Sequence, residues 1–446
     1  MTKDLTQGEP IKLMLIFSIP LLIGNIFQQF YNIADIIIVG RTLGMDALAA
    51  VGAVSPLFFL IMFIVVGLTN GFAVITGQRF GAKDYDGVRR SVTISTVLSY
   101  IFTVIFTVIC CLFLPKILNL MNVPSEIFEN AYLYTLICII GLIITNFYNL
   151  LASVIRALGD SLTPLYALII ASIANIILAL IFILQFNWGV PGSAVALILS
   201  QGISGLLCVF YIKYKMPILH MSANDWRFTK ADIPFAVEHL RVGFPMALQF
   251  AIIGTSILII QAVCNSFGAD VIASFTASLR IEQIAVLPMV TFGVALSTFV
   301  AQNFGAGLFS RIRTGVKKAS FISFCLSLFM ASIMHFWGAD FVRLFIGSGN
   351  EHIVKLAHSY LFVSSSFYFF LAQIFIYRNA LQGLGRPVIP LLASLGELFV
   401  RSFFAIYLAG IIGYYSVFYA GPISWVTAGI VVGIGYYATI NKFLRK

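Results

Sequence analysis

The sequence predicts an all-α polytopic membrane protein: twelve transmembrane helices in two six-helix lobes, related by a pseudo-twofold axis along the membrane normal. Three observations predict it. Of 446 residues, 60% are hydrophobic and 10% charged, with a mean hydropathy of +1.00, a balance foreign to a soluble chain of two or three domains. Apolar stretches of about 20 residues, the length that crosses the hydrocarbon core as a helix, recur from Leu13 to Ile440. The second half of the chain repeats the first.

The spans are centred near Leu22, Ile61, Ile101, Ile140, Ala171, Ser200, Gly254, Val290, Leu326, Phe367, Leu398 and Val431, with Gly, Pro and charge clusters between them. The first follows MTKDLTQGEPIK, a mixed-charge lead without a cleavage site, and is too long for a signal h-region, so no removal is expected. Within it, FSIPLLIGNIFQQFYNIADIIIVG (Phe17 to Gly40) carries Asn25, Gln28, Gln29, Asn32 and Asp35. Their offsets lie close to multiples of the helical period, so all five side chains share one face. An ionised carboxylate near mid-span costs a few kcal/mol unless it meets water or a partner, which makes Asp35 a functional candidate and the stripe the lining of a water-filled cavity in the N-terminal lobe. Pro20, fifteen residues earlier, removes a backbone hydrogen bond and can kink the helix.

Charge fixes the expected topology. With the N-terminus inside, Arg41, Lys116, Arg343 and Lys355 fall on the outer side and Arg280 and Arg401 within the membrane, while the other 21 of the 27 basic residues, Arg378 among them, fall on the inner side. Both termini are therefore expected in the cytoplasm, and the net charge of +10 reports membrane topology and an anionic inner leaflet, with no nucleic-acid partner. All six cysteines sit in apolar spans and the five histidines show no HExxH or CxxC spacing, so neither a metal site nor a cofactor is expected. No GxxxxGK[ST] motif is present for nucleotide drive.

Self-comparison gives the domain organisation. GMDALAAVGA (Gly44 to Ala53) matches GADVIASFTA (Gly268 to Ala277), and GQRFGA (Gly77 to Ala82) matches AQNFGA (Ala301 to Ala306), both at an offset of 224. Pro20 and Pro245 agree within one residue, and RALGDSLTP (Arg156 to Pro164) matches QGLGRPVIP (Gln382 to Pro390) at an offset of 226. The expected division is an N-terminal lobe over 1–212, a cytoplasmic interlobe linker over 213–238 and a C-terminal lobe over 239–446. Six spans per half leave both halves in one orientation, an arrangement suited to alternating access.

The Pro20 to Asp35 pairing, the GQRFGAKD and AQNFGAG loops, RALGD and LGRP resemble, in order and spacing, the multidrug and toxic compound extrusion (MATE) family, nearest its DinF-like branch. The resemblance covers essentially the whole chain. It implies a two-lobe antiporter that exports amphipathic, often cationic compounds in exchange for protons or sodium ions, with the acid at Asp35 binding the coupling cation and the bend at Pro20 responding to it. Asn175 matches the family's fifth-helix Asn beside that site, but the acid expected one turn later is Ala179, and Leu197 stands where a Thr is usual. So few oxygen ligands suit a proton better than a desolvated sodium ion.

The C-terminal lobe departs further from the family. Ile259 and Ile260 align with Asp35, and the tenth span offers Gln373 but no carboxylate. It carries instead Arg280 and Glu282 in SLRIEQ and Glu397 and Arg401 in GELFVRS. Glu397 and Arg401, four apart with the acid first, pair on one face, and these four residues form either a neutralised packing network or a substrate contact. Glu282 is the stronger candidate for proton or cation contact, because Arg280 two residues away points elsewhere.

The function expected is a secondary active multidrug efflux antiporter, proton-coupled with sodium the other candidate. It would work as a monomer on drug-like substrates, multi-pass in the inner or plasma membrane and in contact with its lipid. The rival is a lipid-linked oligosaccharide flippase of the same superfamily, which more often has fourteen spans and a strongly cationic cavity. An enzyme is disfavoured because no nucleophile, metal or paired-carboxylate motif is present, and a receptor because the build is duplicated.

Overall fold

The computed structural model describes residues 3–346 and 350–445, without the side chains of Asn32 and Ile346. The first repeat runs α1 (Pro10–Leu43), α2 (Met45–Gly81), α3 (Tyr85–Leu120), α4 (Ser125–Ile140), α5 (Leu142–Ala157), α6 (Leu162–Leu180, extended by a π turn over Ile181–Gln185) and α7 (Gly189–Lys215). Three short 3₁₀ turns follow, then α8 (Ile233–Asn265), α9 (Ala269–Gly305), α10 (Phe309–Ile346), α11 (Glu351–Ser366), α12 (Tyr368–Gly383), α13 (Val388–Tyr407), the single turn α14 (Ala409–Ile412) and α15 (Tyr415–Leu444). Among the described residues, ten helices are long and apolar enough to cross a membrane. The pairs α4–α5 and α11–α12, bent by 46° and 51°, bring the spans to twelve when each pair is one span.

The two breaks sit at the expected span centres, and local chemistry accounts for them. At the first, a Cβ on Gly141 would lie 2.2 Å from Ile198 Cδ1, so any other residue would force that side chain of α7 aside, and the Thr145 hydroxyl returns to the Gly141 carbonyl at 3.2 Å. At the second, the hydroxyls of Ser365 and Ser366 both donate to the Phe362 carbonyl. Such back-bonding competes with the helical ladder and bends it.

The repeat is written in the backbone as well as the sequence. Helices α2 and α9 are both 37 residues long, and α4, α5, α11 and α12 are all 16. Gly44 and Gly268, the residues before α2 and α9, have φ of 88° and 92°, in the region that only glycine occupies without strain.

The chain divides into two compact units: Ile19–Ala247 with the segment ending at Asp4, and Leu5–Ser18 with the segment from Leu248 onward. Both α1 and α8 change unit within two residues of their internal prolines, Pro20 and Pro245. This division departs from boundaries at 212 and 239, and the two FGA loops explain why. In the C-terminal unit, Gln302 Oε1 accepts the Leu5 N–H at 2.8 Å, and Asn303 and Arg311 donate to the Leu5 carbonyl, clasping the lead of α1. In the N-terminal unit, Arg79 donates to Glu238 at 3.2 Å and its guanidinium lies 4.7 Å from the Phe235 ring, clasping the start of α8.

The start of α8 is also packed without slack on α2: a Cβ on Gly71 would stand 2.5 Å from Gly243 Cα. His239, fully buried, bonds to the Phe235 carbonyl through Nδ1 and to Ser91 Oγ through Nε2, each at 2.8 Å. The expected linker is likewise bound to the N-terminal unit. Arg90 in the first turns of α3 donates to both oxygens of Asp232, to the Asp225 carbonyl at 2.6 Å and to the Arg227 carbonyl at 2.8 Å, while lying 4.9 Å from the Phe228 ring.

Each unit has its own apolar core. Val54, Leu114, Ala131, Cys138 and Val190 join α2, α3, α4 and α7 in the first. Phe275, Met289, Tyr360, Phe418 and Ala428 join α9, α11 and α15 in the second.

Candidate functional site

Asp35 lies two turns before the end of α1, partly buried, and accepts a hydrogen bond from Ser193 Oγ of α7 at 3.0 Å. One turn further along α1, Ile38 packs against the buried cluster of Ala179, Phe182 and Ala196, so α1, α6 with its π turn, and α7 converge at this level. Gly24 marks the other end of the seam, where α1 meets Leu165 and Leu168 of α6 at ordinary van der Waals distance. No lysine or arginine pairs with Asp35 among the described residues. Tyr31 precedes Asp35 by one turn on α1, and Val39, one turn beyond it, packs in a buried cluster with Tyr134 and Cys138 of α4.

Asn175 is fully buried on α6, and neither atom of its amide has a hydrogen-bond partner among the described residues. An orphaned buried amide is costly, about 1–3 kcal/mol per group, and native proteins keep few of them. Of the stripe on α1, Asn25 and Gln29 are partly exposed and Gln28 is exposed; the side chain of Asn32 lies outside the described residues. Pro20 is buried within α1, and its ring leaves the Ile16 carbonyl without its usual helical donor.

The charged residues of the C-terminal unit separate into two groups. Glu282 on α9, 8% exposed, accepts hydrogen bonds from Tyr360 Oη at 2.8 Å and from Ser364 Oγ, both on α11. Glu397 and Arg401 pair across one turn of α13 as their spacing predicts, and Arg378 of α12 joins them with Nη2 at 3.3 Å from Glu397 Oε2. Arg401 also donates to Ser256 Oγ at 3.1 Å and Ser424 Oγ at 3.2 Å.

Arg378, expected on the inner side, is 9% exposed within α12 and pairs with a carboxylate from the neighbouring helix. Arg280 stays outside the network, exposed and unpaired among the described residues, because two residues along a helix turn it away from Glu282. Ser193, Tyr31, Tyr360 and Ser364 were beyond the reach of composition. Only two carried a sequence signal: Tyr31 is four residues before Asp35, and Ser193 one turn before Leu197, where a hydroxyl is missing.

No group of three or more His, Cys, Asp or Glu side chains is arranged to hold a metal ion among the described residues. A cleft of about 750 Å³ between Arg79, Arg90 and the linker is lined by charges that pair with one another, and it contains none of the intramembrane acids.

Comparison with known proteins agrees with this architecture. The chain is 29% identical over 394 residues to the probable multidrug resistance protein YpnP of Bacillus subtilis (strain 168), covering 88% of this chain and 86% of that protein. It is 25% identical over 386 residues to the probable multidrug resistance protein YoeA of the same organism, covering 86% and 83%. A solved outward-facing conformation of a multidrug resistance MATE family transporter of the MOP superfamily superposes with a TM-score of 0.90 at 25% identity, over 99% of this chain and 98% of that one. The MatE family model matches twice, over residues 20–181 and 245–408, so the duplication found by self-comparison is the family's own unit. The two matches start at the prolines where α1 and α8 change unit and together take in most of both repeats: the chain is a multi-pass membrane protein of the MatE (MATE) family of transporters.

Proposed function

We propose that the protein is a secondary active multidrug exporter in which proton exchange at Asp35 drives the release of amphipathic or cationic compounds. The observation that carries the reading is Asp35 itself, a carboxylate on a membrane helix with one hydroxyl donor and no cationic partner among the described residues. An acid so placed is held for an exchangeable cation rather than for structure. The orphaned amide of Asn175 supports it, as a polar group left open to a ligand at the convergence of α1, α6 and α7.

Proton coupling is favoured over sodium because the oxygens at hand are few. Ser193 supplies one hydroxyl, while Ala179 and Leu197 contribute none. Outward-facing, Asp35 takes a proton, which weakens substrate binding and releases the compound; inward-facing, it loses the proton to the cytoplasm and accepts another substrate. The relatives named as multidrug resistance proteins support a drug-like substrate range. The reading places both termini in the cytoplasm and the chain, as a monomer, in the inner or plasma membrane, in keeping with its basic inner loops.

Purified protein in liposomes with an internal pH dye tests this. Ethidium movement driven by a proton gradient and lost in Asp35→Asn is the expected result. Movement driven by sodium alone, or unchanged in Asp35→Asn, refutes it and makes Glu282 the next acid to examine.

A further inference from the structure

The repeat allows the two units to be compared position by position. At the offset of 226, Tyr134 and Cys138 on α4 correspond to Tyr360 and Ser364 on α11, and Asn175 on α6 corresponds to Arg401 on α13. Tyr134 and Cys138 lie in one buried cluster with Val39, one turn beyond Asp35 on α1, and with Val190 and Ala194 of α7, which flank Ser193, while Tyr360 and Ser364 both donate to Glu282; in each unit, equivalent helices thus lie beside one acid. The two units differ at one place above all. Where the N-terminal unit has an amide with no partner among the described residues, the C-terminal unit has a guanidinium with three oxygens around it: Ser256 Oγ at 3.1 Å, Ser424 Oγ at 3.2 Å and Glu397 Oε1.

Ser256, Ser424 and Glu397 are themselves 3%, 0% and 8% exposed. Two hydroxyls and a carboxylate, each meeting a different nitrogen of Arg401, form an oxygen-lined site of cationic preference, and here a side chain fills it. A guanidinium does not lose its proton in proteins and is tethered by its own backbone, so it can neither titrate nor leave. We infer that Arg401 is a tethered cation that permanently occupies the C-terminal unit's counterpart of the N-terminal ion site, and so confines ion exchange to the N-terminal unit. The second guanidinium, Arg378, reinforces this, because Glu397 stays paired with it and a mobile cation would meet a net positive charge.

The functional meaning rests on the reading of Asp35 as the exchange site, but the test does not. Thermal unfolding of purified protein is measured in the Asp35→Asn background, with and without Arg401→Ala, in guanidinium, sodium or choline chloride at equal ionic strength in the millimolar range. Removing Arg401 opens a guanidinium-sized space lined by the three oxygens. Saturable stabilisation by guanidinium or sodium, about 5 °C at tenfold the dissociation constant, absent with choline and absent while Arg401 is present, is the expected result. No cation-specific shift in Arg401→Ala, or the same shift with and without Arg401, overturns the inference. If Arg401→Ala does not fold, Arg401→Gln, which keeps hydrogen bonds but not charge, is read by the same criteria. Gradient-driven transport persisting in Asp35→Asn would undermine the Asp35 reading and leave this comparison standing.

Discussion

The contact between Gly71 and Gly243 gives a prediction whose sign is at stake. Helix propensity alone makes Gly→Ala inside a helix favourable by about 0.8–1 kcal/mol. At Gly71, however, the added methyl would lie 2.5 Å from Gly243 Cα, 3.0 Å from its nitrogen and 3.2 Å from the Val242 carbonyl. These are backbone atoms, which no rotamer change can withdraw, and comfortable carbon–carbon separation is about 3.5–4.0 Å. The start of α8 would have to retreat from α2 by roughly 1 Å, enough to break the 2.8 Å bond between His239 and Ser91. Overpacking costs typically about 1–3 kcal/mol and the lost hydrogen bond about 1 more, so Gly71→Ala is expected to destabilise by about 2 kcal/mol after the propensity gain. For a unit of this size that lowers the unfolding midpoint by roughly 4–8 °C. Gly52→Ala on the same helix is the control, since a Cβ there meets nothing within 4 Å and should leave stability equal or slightly higher. Thermal unfolding in detergent, followed by helical circular dichroism, distinguishes the two. Equal midpoints for both variants would refute the claim that α2 and α8 are locked at a glycine crossing.

Three further outcomes follow from the ion pairs and clasps. Glu397→Gln leaves two buried guanidiniums facing each other and should cost about 3–5 kcal/mol, whereas Arg378→Met leaves a one-to-one pair and should cost clearly less; chemical unfolding of the two variants in one detergent checks the order. Arg90→Lys cannot reproduce contacts to Asp232, Asp225 and Arg227 at once, so limited proteolysis should cut within 217–232 several-fold faster than in the parent. Asp160 is raised by burial, but the Thr163 backbone N–H, the Tyr211 hydroxyl at 2.7 Å and the Thr163 hydroxyl outweigh this and hold its carboxyl below the usual range. Its contribution is therefore complete above an unfolded aspartate's pKa of about 3.9 and lost as pH falls through the lower folded value; the stability gap between parent and Asp160→Asn should narrow below about pH 4.

What the sequence made legible and what it hid follow from the range of the interactions involved. Span centres depend on composition over about 20 residues, and Ile140 and Phe367 were locatable although each lies at a break. The breaks themselves depend on one close approach at Gly141 and on serines folding back on Phe362, which an average over 20 residues dilutes. Asp35 stood out because one charge in an apolar stretch is a signal in itself. Its donor Ser193 is 158 positions away on another helix, and nothing near Asp35 in the sequence points to it. The partner of Arg378 is hidden for the same reason: only the fold brings the carboxylate of Glu397 across the α12–α13 seam, which makes the burial of Arg378 tolerable.

The FGA loops join these lines of argument. In the sequence they are family marks with no evident task; in the fold, AQNFGA grips Leu5 and GQRFGA grips Glu238, so the start of α1 is held in the C-terminal unit and the start of α8 in the N-terminal one. Helix α1 thus begins among residues grouped with the C-terminal unit and continues into the N-terminal unit, where it carries the candidate proton acceptor, with Pro20 beside the point of change. Helix α8 repeats the pattern through Pro245, but at the position of Asp35 it carries Ile259 and Ile260 in place of an acid. Under the proposals for Asp35 and Arg401, α1 is the crossing helix that carries a titratable carboxyl group beyond its proline. A carboxylate that loses or gains a proton alters the solvation demanded of α1, and the proline is where that helix has the fewest hydrogen bonds with which to resist. In the proposed mechanism, this asymmetry of charge on a repeated backbone assigns proton exchange to the N-terminal half.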